Sequence, residues 1–151
     1  MPLIYRKATE ADLPFIVRLL TDDAVVATED RPDEPYHPRY VSALRELAAD
    51  PNQMMMIALL DGETVGTVQL TFIPGIARFA MKRCLVEAVH IAPTYRNRGL
   101  GAEMMQWAIA QAREHGCGMV QLTSNKKRLD AHRFYERLGF EKSHEGFKYY
   151  L

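Results

Sequence analysis

Cysteine is scarce in this sequence. Cys84 and Cys117 are the only two in 151 residues, too few for a disulfide framework and without the close spacing of a metal or redox pair. Both read as small buried apolar residues. Net charge is missing too: 19 basic side chains are cancelled by 19 acidic ones, so no whole-molecule field draws the chain to nucleic acid or to an anionic membrane, and any affinity for phosphate must be local. No apolar run approaches the roughly 18 residues of a membrane span, and the opening "MPLIYRKATEADL" lacks the apolar stretch of a signal peptide. A cytoplasmic protein with no membrane or nucleic-acid partner is expected. His90, His132 and His144 show no ligand spacing, so no metal is expected either. Repeats and low-complexity tracts are absent, and the length fits one domain, residues 1–151, with room for a core.

What is present alternates between strand and helix signals. "LIYRKA" alternates as a strand, and "TEADLPFIVRLLTDD" follows as a helix with a Thr9 cap and an acidic first turn. "TEDRPDEPYHP", residues 28–38, is a charged, proline-rich loop. Val41, Leu44 and Leu47 set a second helix at "PRYVSALRELAAD", and "QMMMIALLDGETVGTVQL" reads as a hairpin turning at Asp61-Gly62. After an interruption at 73–83, "CLVEAVHIA" returns as a further antiparallel strand. "GAEMMQWAIAQAREHGC" is a helix, "GMVQLTS" a strand, and "KRLDAHRFYERLG" a helix ended by Gly139. The tail "FEKSHEGFKYYL" reads as two short strands around Glu145-Gly146. These elements predict an α+β (mixed α/β) fold with a mostly antiparallel sheet of about six or seven strands and about four helices. Exposed strands at the ends of such a sheet would allow a homodimer.

One stretch does not serve packing alone. "APTYRNRGLGAEMMQWAI", residues 92–109, places Arg96, Arg98, Gly99 and Gly101 between a strand and a helix. A helix start presents unpaired N–H groups and partial positive charge, and glycine lets that backbone approach an anion closely, so the segment suits a phosphate. The arginines either add charge to such a site or are solvated. A P-loop is excluded, because Gly101 is followed by Ala102-Glu103 instead of Lys and Ser or Thr. A dinucleotide fingerprint is excluded by Met104 in place of its third glycine.

The pattern that does fit is Arg-x-x-Gly-x-Gly at 96–101, after a strand ending in Ala-Pro and before an amphipathic helix. It resembles the acetyl-CoA-binding signature of the GNAT superfamily of N-acetyltransferases. "AHRFYERLGF" at 131–140 resembles the superfamily's late helix, in the right order and at the right distance downstream. The resemblance implies splayed central strands with the pantetheine arm of acetyl-CoA bonded to the backbone of Val89 and Ile91. It also implies pyrophosphate held by the loop Arg96, Asn97, Arg98, Gly99, Leu100, Gly101 and Ala102. Asn125 resembles an asparagine that bonds the pantetheine arm, although the family position three residues before the helix alanine is here Arg128.

Acetyl transfer to an amine needs a base, stabilisation of the tetrahedral intermediate and a proton for the departing thiolate. Alternation in "LVEAVHI" puts Glu87 on the face of Leu85, Val89 and Ile91, where a carboxylate must be paired or face a cleft; burial there would raise its pKa toward that of a general base. The same pattern fits an ion-paired glutamate at a strand edge. Many superfamily members place a base at this position, so the resemblance implies Glu87, directly or through water. Periodicity alone makes Tyr135 a core tyrosine with its hydroxyl at the rim, whereas the resemblance makes it the general acid for the CoA thiolate.

The acceptor amine is left open. The segments that would shape its pocket, 25–40 and 72–84, carry the acids Glu29, Asp30, Asp33 and Glu34 and the bases Arg78, Lys82 and Arg83. "DPN", "ALLDGETVG" and "SNKKRLDAHRFYERLGFEKSHEGF" look like stretches of small superfamily members acting on short amines with an anionic head. Arg78, Lys82 or Arg83 would then meet that anion, and the expected partner is a small-molecule amine.

Overall fold

A computed structural model gives the fold, and it describes residues 2–22 and 26–151. Five strands lie in the order β1-β2-β3-β4-β5. They are β1 (Ile4–Lys7), β2 (Gln53–Leu60), β3 (Glu63–Ile73), β4 (Lys82–Ile91) and β5 (Cys117–Gln121). The first four pair antiparallel and β5 joins β4 in parallel. The hairpin turns where expected, with Asp61 at φ 50° and Gly62 at φ 81°, the two left-handed residues that match the twist of paired strands. Helices α1 (Leu13–Thr21), α2 (Pro38–Ala49), α3 (Leu100–Glu114) and α4 (Leu129–Arg137) follow the apolar periodicity. The end expected for the first helix, Asp23, lies outside the described residues.

Two apolar layers sandwich the sheet. Val65, Val68, Leu70, Phe72, Cys84 and Val86 form one cluster with Leu100, Met104, Met105 and Ala108 of α3. Leu13, Ile16, Val17 and Leu19 of α1 and Leu44 of α2 are buried outside that cluster, as is Ile57 of β2. The charged loop before α2 is braced by Tyr40, whose hydroxyl donates to Asp30 at 2.8 Å and accepts from the Arg31 amide at 2.9 Å.

The tail corrects the expected strand count. Residues 141–151 are in no strand and are exposed throughout, and they make no backbone hydrogen bond among the described residues. The alternation of Phe147, Tyr149 and Leu151 is real, but within one chain it has no sheet neighbour. Five strands therefore replace the six or seven expected. The interruption before β4 holds a second surprise: Arg78, Phe79 and Ala80 are all left-handed, at φ 57°, 61° and 55°. Nothing in the structure explains why three non-glycine residues adopt that conformation.

Asp12 anchors the N-terminal layer. Its buried carboxylate accepts from both Nη atoms of Arg6, at 2.7 and 2.8 Å, and from the Thr9 amide at 2.7 Å. The Arg6 guanidinium first, then the Thr9 amide, hold its pKa below the usual carboxylate value against the opposing effect of burial. Asp12→Asn should therefore cost about 1–2 kcal/mol at neutral pH, discounted because Arg6 is partly exposed. The sign of the linkage is fixed. A depressed folded pKa contributes stability above the unfolded value of about 4 and loses it as pH falls through the folded value. Urea titrations at descending pH should show wild type and Asp12→Asn converging in the acid range.

Candidate functional site

The site begins where β4 loses a neighbour. β5 accompanies β4 only from Lys82↔Cys117 to Leu85↔Gln121, whereas β3 stays with it as far as Gly66↔Ile91. From Val86 onward β4 therefore has an open edge, and its backbone groups on that side lack strand partners. Buried backbone groups demand hydrogen bonds, so this gap suits an extended polar ligand that adds to the strand. Val89 and Ile91 lie on the open stretch. The Ile91 carbonyl is already engaged by Nε of Arg96 at 3.2 Å, which ties the following loop to the end of β4.

A bulge decides which way the side chains point. The register between β3 and β4 slips between Thr67 and Gln69, and Ala88 sits at φ 50°. An inserted residue reverses alternation. Val89 and Ile91 consequently pack against the cluster that contains Val86, while Glu87, opposite Gln69, takes the other face. The expectation that Glu87 shares a face with Val89 and Ile91 is thus corrected. Glu87 is also exposed. Its neighbour Gln69 lines a cavity of about 320 Å³ with Ala43, Leu47, Glu46, Asp50 and Gln53; directly opposed residues share a face, which sets Glu87 beside that cavity.

The loop after β4 builds the second part of the site. A 3-10 turn over Pro93–Tyr95 leads to Asn97 at φ 63° and Gly99 at φ 77°, and α3 starts at Leu100. Gly99 is the N-cap, and its left-handed conformation favours glycine. Among the described residues, the N–H groups from Asn97 to Ala102 donate to no backbone carbonyl; the Glu103 amide is the first to do so, to Gly99 at 3.1 Å. A row of free amides at a helix start fits an anionic group such as a pyrophosphate. The guanidinium of Arg98, an exposed residue, stands 5.2 Å over the Tyr95 ring, a cation–π contact at the surface.

Helix α4 completes the arrangement. A Cβ built on Gly101 would stand 3.4 Å from the ring of Phe134, so the absence of a side chain lets α3 and α4 meet closely there. Tyr135 is next in sequence, edge-on to Phe134 at 5.2 Å and to Phe140 at 5.8 Å. Burial raises its pKa above the ordinary 10.0, with Arg128 opposing. It therefore keeps its proton at neutral pH, as a donor must. It also belongs to the same cluster as Val89 and Ile91.

The remaining expected residues are placed less centrally. Asn125 is exposed; its Oδ1 accepts from the Lys127 amide at 2.9 Å and its carbonyl from the Arg128 amide at 3.0 Å. Lys82 and Arg83 lie at the start of β4, and Nζ of Lys82 donates to the His115 carbonyl at 3.2 Å. At about 3.3 Å per residue, Lys82 is roughly 16 Å along the strand from Glu87. Arg78 sits in the left-handed turn, further still along the chain. The structure does not bring these three together with Glu87. Sequence reasoning missed Gln69 and Gly66. Period-two alternation in β3 could have flagged Gln69 as a polar residue in a buried strand.

Comparison with known proteins agrees with this geometry. Residues 13–140 match the model of the acetyltransferase (GNAT) family. Aminoalkylphosphonate N-acetyltransferase of Salmonella typhimurium is 33% identical over 63% of this chain and 61% of its own. Human N-alpha-acetyltransferase 30 is 26% identical over 97% of this chain but 37% of its own, so the chain spans less than two thirds of the length of both relatives. A crystal structure of a transcriptional regulator from Bacillus halodurans C-125 superposes with a TM-score of 0.92, at 39% identity and 99% coverage of each chain.

Proposed function

We propose that this chain, which belongs to the acetyltransferase (GNAT) family, transfers acetyl from acetyl-CoA to the primary amine of a small molecule by direct attack in a ternary complex. The observation that carries the reading is the junction of the open β4 edge, the free amides of Asn97 to Ala102 and the helix bearing Tyr135. Acetyl-CoA supplies an activated thioester. The chain's residues supply the rest. The loop amides would hold pyrophosphate, the β4 edge at Val89 and Ile91 would bond the pantetheine arm, and the Asn125 amide would face the same gap.

Proton handling divides between the two faces of β4. Glu87 stands on the cavity side, exposed to water, and takes the amine proton through an intervening water. Tyr135 stands within the opposite cluster and gives its proton to the departing thiolate. Base and acid on opposite sides of one strand match a reaction in which the acceptor enters from one face and the thiol leaves on the other. The cavity lining, with Glu46 and Asp50 and no basic residue, gives no support to an anion-headed acceptor bound by Arg78, Lys82 and Arg83.

A second reading rests on the likeness to the Bacillus halodurans regulator: a module that binds acyl-CoA and regulates without turnover. One experiment separates them. Thiol release from acetyl-CoA is followed with anionic, neutral and polycationic amines and with peptides bearing free N-termini, for wild type and Glu87→Gln across pH. The transferase reading expects turnover with at least one small amine and a loss of about 10²-fold or more in Glu87→Gln at neutral pH. Acetyl-CoA binding by calorimetry with no product from the whole panel would favour the module, and product from peptides alone would move the acceptor to a protein amine.

A further inference from the structure

Two side-chain oxygens among the described residues are out of the reach of solvent and have no hydrogen-bond partner there: Oη of Tyr5 and Oγ of Ser124. A buried hydroxyl left unpaired has lost its hydration for nothing, so each such group calls for an explanation. Tyr5 lies on β1, at the far edge of the sheet, stacked on Trp107 at 4.0 Å. Ser124 follows β5, on the side where β4 runs open.

The last β4–β5 pair is Leu85↔Gln121. Ser124 stands three residues beyond Gln121, as Ala88 does beyond Leu85, so in this parallel register it is level with the bulge at Ala88, where the stretch carrying Val89 and Ile91 begins. Exposure alternates along the way: Leu122 and Ser124 are half-buried, Thr123 and Asn125 exposed. Leu122 packs in the cluster of Val89, Ile91 and Tyr135, whereas Thr123 turns to the tail, its Cγ2 4.0 Å from a Cβ built on Gly146. Alternation therefore returns Ser124 to the side of Leu122. The position is also held, because the Asn125 carbonyl, one residue on, accepts from the Arg128 amide at 3.0 Å and lies 2.9 Å from Nε2 of His132 on α4.

We infer that Ser124 is a cofactor contact, its hydroxyl bonding an amide of the pantetheine arm from the β5 side of the gap. The inference rests on the reading above that the arm lies along β4 at Val89 and Ile91. Each secondary amide of that arm carries a donor and an acceptor, and a strand edge engages the arm from one side only. A hydroxyl both donates and accepts, so it suits whichever amide group faces away from β4. The bond forms only with cofactor bound. The cost of the unpaired hydroxyl consequently falls on the ligand-free protein and is relieved by binding.

Ser124→Ala tests this with two readouts that a structural hydroxyl would move differently. Calorimetry compares acetyl-CoA with adenosine 3′,5′-bisphosphate, which lacks the pantetheine arm, and thermal melts are recorded without ligand. The variant should bind acetyl-CoA about three- to tenfold more weakly and the bisphosphate as wild type does, while melting without ligand at or above the wild-type temperature. Unchanged affinity for acetyl-CoA overturns the inference and leaves the β4 reading standing; so does an equal loss for both ligands. A lower melting temperature without ligand also overturns it, because the hydroxyl then has a partner within the fold. Wild type that binds acetyl-CoA no more tightly than the bisphosphate does not hold the arm in the gap, and the β4 reading fails together with the inference.

Discussion

Tyr135→Phe should lower kcat for acetyl transfer by about 10²–10⁴-fold while the Kd for acetyl-CoA stays within about threefold. The substitution removes one hydroxyl and keeps the ring, so the edge-on contacts to Phe134 and Phe140 persist, as does the close approach of Gly101 to Phe134. The cofactor loop is therefore undisturbed, and any change in rate reports the proton. Burial holds the Tyr135 pKa above 10.0 in spite of Arg128, so the group is protonated throughout the range where the enzyme would be assayed. A thiolate leaving without that proton must be solvated in an apolar cluster, which is the costly step the hydroxyl avoids. Thiol release under saturating acetyl-CoA, with binding measured separately by calorimetry, checks both halves. Unchanged release would take the acid role from Tyr135; a collapse in binding instead would mean the residue holds the cofactor.

Much of this site was legible in the sequence because it is local. Arg96 to Ala102 announce a strand-to-helix turn with free amides, and the glycine at 99 is where the backbone needs a left-handed residue. The helix that bears Tyr135 forms as periodicity predicts. The bulge was not legible. Ala88 at φ 50° has no residue-type signal, since alanine rarely adopts that conformation, and one inserted residue reverses the face of everything beyond it. The role proposed for Glu87 therefore rests on an open, watered face instead of a buried one. The tail departs from its expected strands for a different reason. Its alternation is that of a strand, but a strand exists only with a neighbour, and sequence pattern says nothing of whether that neighbour lies in the same chain.

Gly66 ties stability to the cofactor gap, and Gly66→Ala should disrupt both. A Cβ there would stand 2.7 Å from the carbonyl oxygen of His90 and 2.9 Å from Cδ1 of Ile91. The first of these is backbone, which cannot swing aside as a side chain can, so β3 and β4 must part where β4 has already lost β5. Overpacking of this kind costs about 1–3 kcal/mol, equivalent to a fall in Tm of about 2–12 °C for a domain of this size. The strain falls next to the Ala92 amide bond to the Val65 carbonyl, 2.7 Å long, and next to the Ile91 carbonyl that Arg96 grips. Acetyl-CoA affinity should drop by about tenfold or more as the loop loses that register, since 1.4 kcal/mol is a factor of ten. Gly118→Ala provides the contrast: its Cβ would come as close as 2.6 Å, but to the flexible side chain of Met81, which can rotate away. Thermal melts of the two variants should rank Gly66→Ala well below Gly118→Ala, with acetyl-CoA binding retained only in the latter. Equal melting temperatures would mean that the β3–β4 backbone yields as easily as a methionine side chain, and the rigidity assigned to the edge of the gap would fail with it.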